Sequence, residues 1–422
     1  MRKFIRLCVA AVFTALFLTS CTKESSISDV ESANGQLYQI LQSYYLWYDH
    51  VPTVNPSNYS SPSVLMDSMR YKPIDRYSFV MSYSDYEDYF KQGVYVGYGI
   101  SMAFDDQNNL RLAYIFNDSP LKSVGATRGW IINSINGTVP TSSNLSSLLG
   151  PTTDGYSTTI SMTDLENVVH EGVFAKRQVA FNTVLSKKIL SIGAERVGYL
   201  AFYSFIGNSV VELDSAFKYF EENGITKLVV DLRYNGGGLT SVATQLASQI
   251  LGNGNTSKTF VKFVNNKLHT NLDSTVYFNN NTYAAQGLSS VAFITTKGTA
   301  SSSELVINGL KPYMDVKLVG SQTDGKPVGM YVFFDKYFNY AFFPICFSTQ
   351  NSLGVGDYYS GITVDMAAAD DLGRDFGDPL EDSMSKALQA LGVSAPRSYS
   401  IVAPSVHRIV PAGGFGEILG SY

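Results

Sequence analysis

The stretch KLVVDLRYNGGG at residues 227–238 decides the fold of this chain. Its first part, Lys227–Leu232, is mostly apolar and predicts a buried strand, and the three glycines that follow predict a tight turn. After the turn, apolar residues recur every four positions in Thr240–Leu251, which is typical of a helix packed on a sheet. A buried strand that enters a helix through a glycine turn is characteristic of an α/β protein.

The same alternation of strands and helices continues on both sides of this unit, and it predicts how far the α/β core extends. We expect a mixed, mostly parallel sheet with packed helices over residues 168–395. The further predicted elements are the strand Val197–Phe205, the helix Ser209–Glu222, the strand Val291–Thr295, the helix Ser302–Lys311 and the strand Val316–Val319.

The flanking regions have different patterns. Short strands and turns over residues 93–167 predict a β domain. Residues 396–422 show no clear periodicity and form a C-terminal tail of unassigned role. Residues 33–92 predict a small helical unit with helices near Ala33–Tyr48, Pro62–Met69 and Ser84–Gln92.

Residues 1–20 have the pattern of a secretory signal, because basic residues precede the apolar stretch Leu7–Leu18. Small residues then end at Cys21, which resembles a bacterial lipobox and implies cleavage before Cys21 and acylation of its thiol. The alternative is an ordinary signal peptide followed by a chance cysteine. With a polar tether over 21–32, we expect a lipid-anchored chain in the bacterial cell envelope, at the outer membrane on its periplasmic or cell-surface face.

Composition excludes several classes of protein. Residues 1–20 hold three basic residues and no acidic one, so without them the formal charge falls from −5 to −8, which disfavours nucleic-acid binding. The three cysteines exclude a disulfide framework, since one lies in the signal and one at the lipobox. The four histidines are scattered without metal-ligand spacing, so we expect no metal.

Two further segments carry candidate chemistry. In KGTASSSE at 297–304, Ser301 lies between a strand and a helix, where helix amides could stabilise an oxyanion. The alternative is a structural N-cap that forms a capping box with Glu304. The glycine turn of 236–238 could likewise hold a ligand on its amides, or be only a tight turn.

The segment GSQTDGK at 320–326 matches the G-x4-G-K pattern of a phosphate-binding loop. Such a loop requires a Ser or Thr after the lysine, and the residue here is Pro327, which also lacks an amide for phosphate. A strand, and not the required helix, is predicted over Val328–Phe334. The sequence therefore disfavours nucleotide binding.

Taken together, these segments resemble the S41 family of C-terminal processing peptidases, or tail-specific proteases. The family's motifs correspond here to DLRYNGGG at 231–238, TASSSE at 299–304 and DGKP at 324–327, with GITVD at 361–365 and DPLEDSMSKAL at 378–388. Ser301 and Lys326 are 25 residues apart, as in the catalytic dyad of the family.

The resemblance implies a ClpP/crotonase-like core and a serine endopeptidase that uses no cofactor and acts on polypeptides, near the C-termini of exported proteins. Ser301 would be the nucleophile and Lys326 the base, while the amides of Ser302 and Gly237 would hold the oxyanion. The alternative is a catalytically impaired, peptide-binding lipoprotein of the same fold. Met330, where the family has a Gln that orients the lysine, and Pro327, where it has Gly, motivate that alternative.

Residues 93–167 resemble a PDZ domain of the kind carried by processing proteases. The segment Gly97, Tyr98, Gly99 and Ile100 corresponds to the loop whose amides capture a peptide's C-terminal carboxylate. The peptide would pair with the strand that follows this loop. The alternative is a degenerate PDZ domain that only packs against its neighbour.

Overall fold

The computed structural model describes residues 32–394 and the backbone of residues 408–411. The predicted signal, the acylation site Cys21, most of the tether and most of the C-terminal tail therefore lie outside the described residues. Within the described part, no helix combines the length and the apolarity that crossing a bilayer requires.

The first part of the described chain is mostly helical and contains one strand. Its elements are α1 (Ala33–Tyr44), α2 (Pro62–Met69), β1 (Phe79–Ser82) and α3 (Tyr83–Tyr86), with a π-helical turn at Glu87–Gln92 and short 3-10 turns at Tyr48–His50 and Pro56–Asn58. Strand β1 pairs antiparallel with residues 340–343, so this part shares a sheet with a much later segment of the chain. The N-terminal part is thus built onto the α/β core.

A β domain follows, in which strands β3 to β7 form one antiparallel sheet. Its elements are β2 (Val94–Gly97), β3 (Ile100–Phe104), β4 (Leu110–Ile115), β5 (Ile131–Ile135), α4 (Leu145–Leu149), β6 (Ser157–Thr163), β7 (Val169–Ala175) and β8 (Arg177–Ala180), with a 3-10 turn at Pro120–Val124. Because β7 ends at Ala175, the sheet runs past the predicted boundary at residue 167. The outer edge of β3 pairs antiparallel with Arg408–Pro411 of the tail.

The α/β core contains the remaining elements. They are β9 (Val184–Ile192), β10 (Glu195–Phe202), α5 (Ser209–Glu222), β11 (Lys227–Asp231), α6 (Thr240–Leu251), β12 (Thr259–Asn265), a 3-10 turn at Thr270–Leu272, β13 (Ser274–Tyr277), β14 (Ser290–Thr295), α7 (Ser302–Leu310), β15 (Asp315–Gly320), β16 (Val328–Met330), β17 (Phe333–Phe334), β18 (Tyr340–Phe343), β19 (Ile345–Gln350), β20 (Met366–Ala367) and α8 (Asp382–Ala390).

The main sheet has the order β20-β15-β14-β11-β10-β9, and only its β9–β10 pair is antiparallel. Leu228 and Val230 of β11 belong to one buried cluster and Val229 to another on the opposite face. Burial on both faces explains why β11 is nearly continuous in apolar residues. The predicted mixed, mostly parallel sheet with packed helices is confirmed.

Candidate active site

The three segments that the sequence singled out follow three neighbouring strands, β11, β14 and β15. Because these strands are parallel, their carboxyl ends lie at one edge of the sheet and the loops after them meet there. The Thr299 hydroxyl donates to the Leu232 carbonyl at 2.8 Å, and the Asp324 amide donates to the Thr299 carbonyl at 2.9 Å. Hydrogen bonds therefore fix each loop to the next.

A cavity of about 170 Å³ opens at this edge, and both Ser301 and Lys326 line it. Much of the rest of its wall is apolar and includes Leu305, Met330 and Phe347. No group of three metal-ligating side chains suited to a metal ion occurs in the described part of the chain. The cavity thus presents a hydroxyl and an amine in a largely apolar setting.

Ser301 adopts an unusual backbone conformation directly before α7, with φ 54° and ψ −116°. Such a conformation is strained for a residue with a side chain, and strained turns of this kind are found at functional sites. Gly237 lies against it, since a Cβ added to Gly237 would be 2.8 Å from the Cβ of Ser301. Only glycine fits at residue 237, where φ is also +105°.

One buried carboxylate, that of Glu304, joins the serine loop to the lysine loop. Its Oε2 accepts the amides of Ser301 at 3.0 Å and Lys326 at 2.8 Å. Its Oε1 accepts the Gly325 amide at 2.8 Å and the Thr323 hydroxyl at 2.5 Å. The predicted role of Glu304 in capping α7 is present through the Ser301 amide, but the same side chain also fixes the backbone of both candidate dyad residues.

Lys326 is in the environment that a lysine base requires. Its side chain is 6% exposed, and burial lowers its pKa to about 8, although Asp324, Asp75 and Glu304 act in the opposite direction. Its Nζ lies 3.9 Å from the Sδ of Met330, a weak acceptor that replaces the family's Gln. A substantial fraction of this amine is therefore neutral at mildly alkaline pH.

The two predicted oxyanion donors differ in the structure. The amide of Ser302 is at the first position of α7, where an N–H has no acceptor within the helix. The amide of Gly237 instead donates to Oδ1 of Asn235 at 2.9 Å, and the Asn235 side chain also donates to the Phe202 carbonyl. The prediction of Gly237 as a free donor is therefore wrong for this conformation, because an Asn of its own turn occupies the N–H.

A buried charge network beneath the glycine turn was not foreseen from the sequence. Arg233 is 2% exposed and its guanidinium pairs with Asp231, Asp370 and Glu381 at 2.6 to 2.9 Å. Arg128, from the β domain, reaches the same Asp370 at 2.5 Å. The motifs DLR and DPLED contain three of these residues. Their charged side chains at apolar positions are the sequence signal from which the network could have been predicted. The network links the β domain to the loop that faces Ser301.

The predicted carboxylate loop Gly97–Ile100 connects β2 to β3. The amides of Gly99 and Ile100 hydrogen-bond to the Tyr95 hydroxyl, and burial raises the pKa of this phenol. The adjoining edge of β3 is paired with Arg408–Pro411. The amides and the strand edge that were predicted to bind a peptide are thus engaged within the chain.

Two stretches of the chain match known families of proteins. Residues 196–334 match the family model described as Peptidase family S41, and residues 32–79 match the Peptidase S41 N-terminal domain. A probable CtpA-like serine protease of Staphylococcus aureus (strain MRSA252) is 25% identical over 329 residues, which cover 76% of this chain and 62% of that protein. The corresponding protein of Staphylococcus saprophyticus is 23% identical and covers 75% of this chain and 62% of that protein.

The fold is also that of a solved structure, a putative S41 protease from Bacteroides fragilis NCTC 9343. It has a TM-score of 0.74 and 22% sequence identity, and it covers 87% of this chain and 98% of that chain. The chain spans about three fifths of the length of the curated relatives it matches. The first of the two family matches contains both Ser301 and Lys326. The chain therefore contains a domain of Peptidase family S41 at residues 196–334 and a Peptidase S41 N-terminal domain at residues 32–79.

Proposed function

We propose that this protein is a serine endopeptidase that hydrolyses peptide bonds of exported proteins near their C-termini, with Ser301 and Lys326 as its catalytic dyad. The observation that carries the proposal is that one cavity is lined by a serine in a strained turn and by a lysine whose burial lowers its pKa to about 8. A serine hydroxyl needs a base, and a desolvated amine can serve.

The proposed reaction begins when the neutral Lys326 amine removes the proton from the Ser301 hydroxyl. The serine oxygen attacks the scissile carbonyl carbon, and the Ser302 amide donates to the oxyanion that forms. Collapse of this intermediate breaks the C–N bond, and the leaving amine takes the proton from the Lys326 ammonium. Water then repeats the sequence on the acyl-enzyme, which releases the carboxylic acid and restores Ser301.

The test is cleavage of an unfolded polypeptide by the full mature chain. We expect Ser301→Ala and Lys326→Ala each to lower kcat by about 10³-fold or more, and the double variant to be no worse than either one, because the two residues act as a unit. Ser123→Ala, at an exposed serine of the β domain, is the matched control. Fragment masses would show whether cleavage occurs near the C-terminus.

Substrate-saturable binding without turnover, equal in the wild type and in Ser301→Ala, would instead support a peptide-binding protein without catalysis. The departures from the family's motif at Pro327 and Met330 are the reason to consider that second function. The similarity to S41 proteases does not favour it. A lipid anchor at Cys21 in the cell envelope also stays a proposal, supported by the lipobox-like sequence alone. It predicts that Cys21→Ala abolishes both labelling by a radioactive fatty acid and recovery with membranes.

A further inference from the structure

We propose that Tyr77, supplied by the S41 N-terminal domain, is a positioning residue for Lys326. This inference rests on the proposed function. Tyr77 precedes β1, and its ring centroid lies 5.0 Å from the Nζ of Lys326. Its hydroxyl donates to Oδ2 of Asp324 at 2.7 Å and lies 3.0 Å from the Gly325 carbonyl oxygen. One side chain therefore contacts the amine of the lysine and the two residues before it.

Arg76 adds a second link between the same two segments. Its Nε and Nη2 donate to the Tyr77 hydroxyl at 2.9 and 2.7 Å, and Nη2 also donates to the Asp324 carbonyl at 2.7 Å. Burial raises the pKa of Tyr77, so the phenol keeps the proton that it donates to Asp324. The Arg76 side chain is 54% exposed, so its ion pair with Asp324 contributes little, and the buried tyrosine is the main contact.

The backbone of Tyr77 is itself fixed. The carboxylate of Asp75 is fully buried and its Oδ1 accepts the amides of Tyr77 and Ser78, both at 2.9 Å. Its Oδ2 accepts the hydroxyl of Tyr45, which follows α1, at 2.6 Å. The ring below Lys326 is therefore held by two segments of the N-terminal domain, and it needs no movement to meet the lysine.

Lys326 has a particular need for such a contact. The side chain four residues later is Met330, whose thioether is a poor acceptor at 3.9 Å from Nζ. A cation above an aromatic face is attracted to it, and the attraction is larger where water is excluded. The ring of Tyr77 thus limits where the Lys326 amine can point. In this way the N-terminal domain completes the active site and is more than a structural support.

The experiment compares Tyr77→Phe, which keeps the ring and removes the hydroxyl, with Tyr77→Leu, which removes both but still fills the space. We expect kcat to fall in the order wild type, Phe, Leu, with a loss of about tenfold or more for Leu and KM within about twofold of the wild type. Tyr38→Phe is the control, since it removes the hydroxyl that donates to the Pro52 carbonyl in the same domain.

The pH dependence separates positioning from a general structural role. Asp75, Asp324 and Glu304 are the charged groups that act on Lys326 alongside the ring, and they are unchanged in these variants. Loss of the ring removes a stabiliser of the ammonium, so the acid limb of the kcat profile should move to lower pH in Tyr77→Leu and stay in place in Tyr77→Phe. Melting temperatures would show that both variants are folded.

The outcomes are distinct from those for the proposed function. If the wild type cleaves, Ser301→Ala does not, and Tyr77→Leu retains kcat and the wild-type acid limb, the positioning role is overturned while the peptidase assignment stands. A loss confined to KM would also overturn it. If the wild type does not cleave at all, the proposed function fails first, and the inference fails with it.

Discussion

Two loops of this molecule have similar glycine-rich sequences and opposite surroundings. The turn at 236–238 and the serine loop border a cavity into which Ser301 and Lys326 are directed. The loop Gly97–Ile100 has its amides on the Tyr95 hydroxyl, and the edge of β3 is paired with the tail. Glycine spacing fixes the path of each backbone, but the side chains around the loop decide whether a ligand can use its N–H groups.

Glu304 shows how the serine loop and the lysine loop are held together. Its carboxylate accepts four donors, three of them backbone amides, so one side chain fixes the backbone of both loops. Buried polar groups in such a fully satisfied network hold a single geometry. In the β domain the Tyr95 hydroxyl engages the amides of Gly99 and Ile100, and these amides, like that of Gly237 on Asn235, were predicted to bind a ligand.

Outside the two candidate dyad residues, the largest effect is expected from Glu304→Gln. A glutamine can accept at one atom only, and its NH2 would face N–H donors, so the two loops should separate. We expect kcat/KM to fall by about 10²-fold and stability by about 1–3 kcal/mol. Peptide cleavage and denaturant unfolding would measure the two effects.

Glu212→Gln is the matched control for that change, because Glu212 accepts the Val184 amide at 2.8 Å in another part of the core. It should lose stability and keep kcat/KM. If Glu304→Gln retained full activity, the two dyad residues would not depend on their shared carboxylate, and the contrast between the two loops would lose its basis.

A smaller and graded effect is expected from pH. Burial lowers the pKa of Lys326 to about 8, so kcat/KM should rise about tenfold per pH unit up to pH 8 and then level off, because only the neutral amine can accept a proton. Burial raises the pKa of Glu304 to about 7, so its protonation should steepen the limb below that pH. A rate profile that is flat from pH 6 to 9 would contradict Lys326 as the base.

The core could be predicted from the sequence because it depends on local signals, and the same signals locate the two candidate dyad residues. Buried parallel strands are continuous in apolar residues, and each candidate motif follows one such strand, as β11 illustrates. Ser301, Ser302 and Lys326 then line one cavity because adjacent parallel strands end at one edge. Predicting this part of the site required only the order of the strands in the sheet.

The sequence did not reveal contacts that depend on distant packing. Tyr77 and Lys326 are far apart in the chain, and nothing in the local pattern around Tyr77 shows which loop its ring would cover. The prediction that the Gly237 amide is a free oxyanion donor failed for a different reason. Asn235, two residues earlier, turns its side chain back onto the amide, and Asn is a residue that commonly does so in turns.

The smallest effect is expected at the β domain. Arg408–Pro411 pair with β3 in the antiparallel direction, with Pro411 opposite Ser101 near the glycine loop, which is the direction expected of a captured peptide.

If this edge binds substrate, deleting residues 396–422 should lower KM for an unfolded substrate on the order of twofold to fivefold, since an intramolecular competitor is removed. Ile409→Pro, which removes an N–H from this short paired segment, should act in the same direction as the deletion in the full chain. Tyr95→Phe, which frees the amides of Gly99 and Ile100, should add to the gain. If none of the three variants changes KM, the domain is a degenerate PDZ that only packs against the core, and selection of substrates must then occur in the cavity beside Ser301.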